Sequence, residues 1–201
     1  SVSAKRIDEV ITCPASIQDP ASPAAFDETQ KGVVRFEDVS FRYPDAKEDT
    51  LSHISFTALP GQTTAILGGT GSGKSTLVQL IPRFYDVTGG RITVDGRDIR
   101  EVSMHDLRER IGYVPQKGVL FSGTIASNIA FGMDDASQED IEKAAAIAQA
   151  ADFIAEKPDG YQDAIAQGGT NVSGGQKQRL AIARAVMKKP EIYIFDDSFS
   201  A

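Results

Sequence analysis

The sequence is poor in features that mark several protein classes. Cysteine occurs once, at Cys13, so no internal disulfide staples the fold, which suits a reducing compartment. No apolar run approaches the ~20 residues that span a bilayer, and no signal peptide is visible at the start, so the chain as it stands reads as soluble. Basic charge is in the minority. Lys and Arg number 21 against 28 Asp and Glu, a net charge of −7, which argues against a nucleic-acid surface. There is no internal repeat and no low-complexity tract. What remains is a chain of 201 residues that is 41% hydrophobic, enough for one real core, or one domain with a lobe.

One stretch organises the rest. Gly68-Gly69-Thr70-Gly71-Ser72-Gly73-Lys74-Ser75 fits the phosphate-loop pattern G-x-x-x-x-G-K-[ST] at every fixed position. Thr63, Thr64, Ala65, Ile66 and Leu67 read as a buried strand entering it, and Thr76 to Ile81 as a helix leaving it. Glycines let the backbone turn its N–H groups inward on a polyphosphate, and the following helix adds a partial positive charge. Lys74 can reach the β- and γ-phosphates, and the Ser75 hydroxyl can ligate Mg²⁺. A plain glycine-rich turn would explain the bend but has no need of Lys-Ser at the helix start.

Around this loop the chain divides. Residues 1–11 place Ile7, Val10 and Ile11 at helical spacing. Residues 12–32, with Pro14, Pro20 and Pro23, read as a mobile linker. From Val33 the pattern is of strands: a first alternating run ending at Tyr43-Pro44-Asp45, a second at Ile54 to Thr57, and a third at Arg91 to Val94 before the hairpin signal Asp95-Gly96. Ser103 caps a short helix from Met104 to Arg110, and Ile111 to Val114 is a further strand. Residues 121–165 form a helical insertion. Thr124 and Ser137 are its N-caps, Asp140 is placed for a capping box, and Ile141, Ala144, Ala145 and Ala148 are an ordinary packing stripe. Gly174-Gly175 opens a last helix that Pro190 stops, and Ile192 to Phe195 is a buried strand ending in Asp196-Asp197.

Two further stretches carry chemistry. An Asp at the end of an apolar strand is by itself a turn residue or cap. Beside a phosphate loop, Asp196 is a carboxylate that can hold Mg²⁺ through its water shell. In Asn171-Val172-Ser173-Gly174-Gly175-Gln176-Lys177-Gln178-Arg179, a hydroxyl and two glycines at a helix start offer a second anion site. A helix cap explains Ser173, but not two glycines where helix propensity suffers.

These residues resemble the ATP-binding cassette (ABC) ATPases. Val172-Ser173-Gly174-Gly175-Gln176 is similar to the family signature, with Val where Leu is usual; residues 68–75 correspond to its Walker A, and 192–196 to its Walker B. Gln116 in Val114-Pro115-Gln116 sits at the Q-loop position, and Tyr43 where the family's A-loop aromatic stacks on adenine. Val119 to Ile125 with Asn128-Ile129 resembles the exporter branch, the half-transporters for lipids, peptides and drugs. Arg6-Ile7-Asp8-Glu9-Val10-Ile11 with Pro14 resembles the junction with the last membrane helix of such an exporter.

The resemblance implies a piece of a longer integral membrane protein. It divides into a junction (1–11), a linker (12–32) and a nucleotide-binding domain (33–201) cut after the Walker B, with a helical subdomain over about 117–180. The implied fold is α/β: a RecA-like phosphate-loop core with an antiparallel β subdomain and an α-helical subdomain. The implied cofactors are ATP and Mg²⁺. Gly68, Gly69, Thr70, Gly71, Ser72, Gly73, Lys74, Ser75, Thr76 and Tyr43 would bind the nucleotide, and Ser75, Gln116 and Asp196 the metal. Ser173, Gly174, Gly175 and Gln176 would serve an ATP held by a second nucleotide-binding domain. The transmembrane domain of the same polypeptide is the other implied partner, and the place of action is the cytoplasmic face of the cell membrane. Lys74, Gln116 and Asp197 would carry hydrolysis.

Departures from the family temper that picture. Its general base is usually Glu, and Asp197 is one methylene shorter, which favours slow hydrolysis at this chain's own site and a heterodimer with a more competent partner. Gln167 replaces a common acidic residue before the signature, and Gly69 a common Pro in the Walker A. Neither His53 nor His105 fits the family's switch histidine, and the D-loop breaks off at Ser200-Ala201. Two rival readings are a regulatory module that holds ATP without turning it over and a soluble ABC ATPase of DNA repair or translation. The second calls for a coiled-coil or basic insertion between Gln116 and the signature, and the sequence has none.

Overall fold

Alternating apolar residues build the first layer. In the computed structural model, which describes residues 2–196, β1 (Val34–Phe41), β2 (Leu51–Ala58), β3 (Gly89–Val94) and β4 (Arg97–Asp98) form an antiparallel sheet in the order β2-β1-β3-β4. Val34, Phe36, Val39 and Phe41 of β1 face the core. Their phase slips by one residue because β1 is irregular between Phe36 and Val39. There Asp38 (φ 51°) and His53 (φ 52°) both turn left-handed, and their side chains meet at 2.8 Å. Asp95-Gly96 makes the two-residue turn between β3 and β4, with φ of 48° and 71° as such a turn requires.

The second layer is a parallel pair, β5 (Ile111–Val114) with β8 (Ile192–Phe195), in register from Ile111↔Ile192 to Val114↔Phe195. One apolar cluster joins the sheet, this pair, α2 (Lys74–Leu80) and α3 (Met104–Glu109), through Phe36, Leu80, Ile92, Leu107, Ile111 and Ile194. A second cluster holds the helical part: α4 (Ile125–Ile129), α5 (Gln138–Ile147), α6 (Ala151–Ala155) and α7 (Gly174–Met187), packed through Ile125, Ile129, Ile141, Ile154 and Leu180. The short antiparallel pair β6 (Gly123–Thr124) with β7 (Ala164–Ile165) closes it. The fold is thus α/β, with an antiparallel β subdomain and a helical subdomain attached to a phosphate-loop core.

Several expectations need correction. Residues 63–67 form no strand, and Leu67 is 91% exposed. The run has strand-forming residues, but a strand also needs a neighbour for its backbone groups, and none pairs with it among the described residues. β8 is buried on one face only: Ile194 is inside, while Tyr193 and Phe195 are 44% and 39% exposed, because successive side chains point to opposite faces. The cap at Ser137 is one-sided. Its hydroxyl accepts from the Asp140 N–H, but Asp140 takes that hydroxyl's proton rather than the Ser137 N–H. The helix α6 and the β6–β7 pair are too short for periodicity to announce.

The segment read as a mobile linker is fastened for much of its length. Asp19 accepts from the Met104 N–H at 2.7 Å, Ala24 N–H donates to Glu101 O, Arg97 Nε donates to Ala25 O, and Asp27 N–H donates to Asp95 O. Its last residues converge on Arg110, whose guanidinium pairs with Glu28 (2.9 Å), Asp95 (2.7 Å) and Glu191 (3.0 Å) and lies 4.2 Å from the Phe26 ring centre. Composition reports the prolines of such a segment but not these ties. Upstream, α1 (Val2–Thr12) leaves Ile7, Val10 and Ile11 exposed. Among the described residues no helix is long and apolar enough to cross a membrane.

Candidate functional site

Two turns and two strand ends build the site. α2 opens on Gly73, which at φ 90° holds a left-handed conformation that only glycine adopts cheaply. A Cβ there would come within 3.0 Å of Leu51, and one at Gly68 within 2.5 Å of the Ser72 hydroxyl. Ser72 N–H donates to Gly69 O at 3.2 Å, which tightens the loop over residues 69–72. Lys74 Nζ curls over this loop and donates to the carbonyls of Gly68 (2.7 Å) and Gly69 (2.9 Å).

Behind Lys74 the helix ties the loop to the rest of the fold. Ser75 Oγ donates to Asp196 Oδ1 at 2.8 Å, joining groups 121 residues apart. Thr76 Oγ1 meets Tyr43 Oη at 2.8 Å. That bond sets the Tyr43 ring beside the loop, edge-on to Phe41 and Tyr85. Gln116 follows the C-terminal end of β5, two residues beyond Val114, and Asp196 directly follows β8. Because β5 and β8 run parallel, both residues leave the same end of the pair, where ligands of open α/β sheets collect.

Tyr113 joins this group, and sequence reasoning gave it no role. Its phenol donates to Asp196 Oδ2 at 3.2 Å. Burial and the adjacent Asp196 carboxylate push the phenol up to about 12, so it keeps its proton and stays a donor. Its ring packs edge-on against Phe84 at 5.4 Å. In the sequence Tyr113 is one more residue of an apolar strand. Only the β5–β8 register reveals its place.

The signature stretch is built differently. Ser173 Oγ accepts from the Gln176 N–H (3.2 Å) and Gln176 Oε1 from the Ser173 N–H (3.0 Å), a reciprocal cap that closes the first turn of α7 on itself. The Ser173 hydroxyl is therefore a helix cap here, as the simpler reading had it. Gly174 and Gly175 have no such local reason: a Cβ at either would meet nothing within 4 Å. Glycine is also among the poorest helix formers, so neither is chosen for helix propensity. α7 is linked to the Gln116 loop, since Gln178 Nε2 donates to Pro115 O at 3.2 Å and a Cβ at Gly118 would come within 2.6 Å of Lys177 O.

The structure thus gathers Tyr43, Gly68, Gly69, Lys74, Ser75, Thr76 and Asp196 into one constellation, with Gln116 at the same strand end. Ser173 to Gln176 are held by their own helix turn. Asp197 lies outside the described residues. Among the described residues no three His, Cys, Asp or Glu side chains gather as a metal cage. The nearby oxygen donors, a hydroxyl and a carboxylate 2.8 Å apart, suit a hard cation that takes its other ligands from phosphate and water.

A phosphate loop coupled to a strand-end Asp, with a glycine-opened helix on the helical subdomain, fits a class of nucleotide-binding domains, and comparison with known proteins gives the family. Residues 51–200 match the family model described as "ABC transporter", and the chain belongs to that family. It is 50% identical over 204 residues to an uncharacterized ABC transporter ATP-binding protein of Mycobacterium tuberculosis, covering 100% of this chain and 35% of the relative. It is 46% identical over 181 residues to human ATP-binding cassette sub-family B member 6, covering 90% of this chain and 21% of that protein. A solved bacterial Atm1-family ABC exporter with ATP bound superposes with a TM-score of 0.91 at 41% identity, over 100% of this chain and 35% of that one. The chain spans 21% to 35% of the length of these relatives.

Proposed function

We propose that this chain is the ATP-binding and ATP-hydrolysing domain of an exporter-type ABC transporter, and that ATP-driven closure on a second nucleotide-binding domain powers export. The observation that supports this is the 2.8 Å bond from Ser75 to Asp196, which joins the helix leaving the loop to a strand-end carboxylate suited to a metal ion. In this reading the backbone N–H groups of residues 68–76 and Lys74 hold the phosphates, and Tyr43 offers its ring to adenine. Ser75, Gln116 and Asp196 hold Mg²⁺, which when bound neutralises charge on the phosphates. Asp197 accepts the proton of the attacking water, with less reach than Glu.

Gly174 and Gly175 support a partner. Among the described residues nothing stands where a side chain at either position would go, which fits glycines kept for a surface that approaches the backbone from outside. A second nucleotide domain, its ATP phosphates pressed against these N–H groups, supplies that surface. The favoured pairing is a heterodimer, in which the other chain contributes the faster site. A transmembrane domain of the same polypeptide would deliver the work, with this domain on the cytoplasmic face of the cell membrane. Asp197 also favours a second reading, in which this site holds ATP for regulation and hardly turns it over.

The test is a comparison of ATP affinity with single-site turnover in the full-length protein. Lys74→Ala should abolish tight binding of ATP·Mg²⁺, and unchanged affinity would overturn the site. Asp197→Glu should raise turnover by roughly tenfold or more at constant affinity. A flat response would mean that Asp197 does not limit this site.

A further inference from the structure

Asp196 has two carboxylate oxygens, and each meets a different hydroxyl. Oδ1 accepts from Ser75, which the reading above assigns to the metal, and Oδ2 accepts from Tyr113 at 3.2 Å. The Ser75 bond joins two groups that would both turn toward the same ion. The Tyr113 bond comes from outside that set. Tyr113 stands on β5, opposite Ile194 in the register, and so reaches Asp196 from the neighbouring strand. Its ring is seated edge-on against Phe84, and the Arg108 guanidinium lies 5.4 Å from the centre of the same Phe84 ring. Arg108 is fixed in turn by bonds to the carbonyls of Pro82 (3.0 Å) and Arg83 (3.2 Å). The phenol is thus an anchored donor, whereas Ser75 sits at the edge of the phosphate loop.

A carboxylate at a strand end rotates about its last torsion through a broad range. Two oxygens held from two sides leave it one orientation. If Ser75 turns to a metal ion, Tyr113 still holds the other oxygen and so the plane of the carboxylate. Groups that orient a direct metal ligand commonly change metal affinity by about 10–100-fold, and for a carboxylate that acts through the ion's water shell a smaller change is expected.

We propose that Tyr113 is a positioning residue for the metal site: its phenol holds Asp196 Oδ2 and so presents Oδ1 toward Ser75 and the Mg²⁺ of bound ATP. This rests on the ATP·Mg²⁺ reading of the site.

The experiment uses the full-length protein and a fluorescent ATP analogue. Binding is measured in EDTA and across a Mg²⁺ titration for the wild type, Tyr113→Phe and Asp196→Asn. Tyr113→Phe keeps the ring against Phe84 and removes the hydroxyl, with its bond to Asp196 and its contact with the Gln79 side chain. The expected result is metal-free affinity within twofold of wild type, with the Mg²⁺ concentration for half-maximal enhancement raised about 3- to 10-fold, within what loss of one bond to a charged group allows. A merely structural tyrosine would lower thermal stability or shift both affinities together. An unchanged Mg²⁺ midpoint in Tyr113→Phe overturns the proposal, and so does a parallel loss with and without metal. Asp196→Asn separates the two failures. If it loses the Mg²⁺ response while Tyr113→Phe keeps it, only the role of Tyr113 falls. If Asp196→Asn keeps the response too, the metal site itself is misassigned.

Discussion

The parallel pair β5–β8 has carboxylate chemistry at each end, two acidic side chains at one and Asp196 at the other, and the two ends are built on opposite plans. At the N-terminal end, Asp95 and Glu191 face Arg110, with Lys31 on Glu191 at 3.2 Å and the Gly32 N–H on Asp95 at 2.7 Å. The charge is neutralised by side chains of this chain. At the C-terminal end, Asp196 receives the Ser75 and Tyr113 hydroxyls, which bring hydrogen bonds but no charge. A site that supplies its own cations is finished as a structure. Hydroxyl donors orient a carboxylate without cancelling its charge, so they suit one that is to meet a cation arriving with a ligand. Breaking the first plan should therefore cost folding, and breaking the second should cost metal and nucleotide.

The largest stability effect is expected at the first end. Arg110→Met leaves Asp95, with 0% exposure, and Glu191 facing each other without their shared cation. Breaking a buried ion pair costs ~3–5 kcal/mol. Arg110 and Glu191 retain about a fifth of their exposure, so a loss of about 2–3 kcal/mol is expected by urea unfolding. ATP affinity of the folded fraction should hold steady. A large loss of affinity at unchanged stability would erase the contrast between the two ends.

A middle-sized effect should appear in pH. Burial, and after it the neighbouring Glu191, raise Asp95 to about 6, against the pull of the Gly32 N–H and Arg110. Below about pH 4 Asp95 is protonated in both folded and unfolded chains. Between there and about pH 6 the folded state keeps a proton that the unfolded state has released, so this stabilising contribution drains away as pH rises. Above that range it is gone. Asp95→Asn has no such proton. Wild-type stability relative to the variant should therefore fall by about 1–3 kcal/mol from pH 4 to pH 6 and then level off. A difference that rises over this range would show that Asp95 ionises easily and that Arg110 dominates its surroundings.

The smallest effect tests the ring that covers the node. Phe26→Leu keeps an apolar cover but removes the π face 4.2 Å from Arg110. A loss of about 0.5–1 kcal/mol is expected by thermal unfolding. A loss above 2 kcal/mol would mean that residues 24–32 hold the core through packing rather than through charge.

Legibility followed the range of the physics. Ser103, Thr124, Ser137 and Ser173 cap their helices as read, since a cap needs only residues within one turn. The Asp95-Gly96 hairpin was legible for the same reason. Residues 63–67 were misread because strand character depends on a neighbour, and no pattern in a pentapeptide supplies one. The linker was misjudged because its ties to Glu101, Asp95, Met104 and Arg110 are backbone and charge contacts across 77 residues in one case, Ala24 to Glu101. At the site, the spacing G-x-x-x-x-G-K-S names the phosphate loop unaided, because one continuous turn must wrap a phosphate. The partner of Ser75 required a metal argument as well as a pattern.

By itself the sequence determined the local machinery: the phosphate loop from Gly68 to Ser75, the caps, the strand-end Asp196, the glycines of the signature and the family they resemble. These are set by contacts within a few residues, where covalent connection fixes the geometry. Only the tertiary structure decided which hydroxyls hold Asp196, that Tyr113 is one of them, and that Arg110 closes the opposite end of the same two strands. Those choices depend on strand register and on groups that the chain brings together from far apart, and a one-residue shift of register would have pointed Tyr113 to the other face.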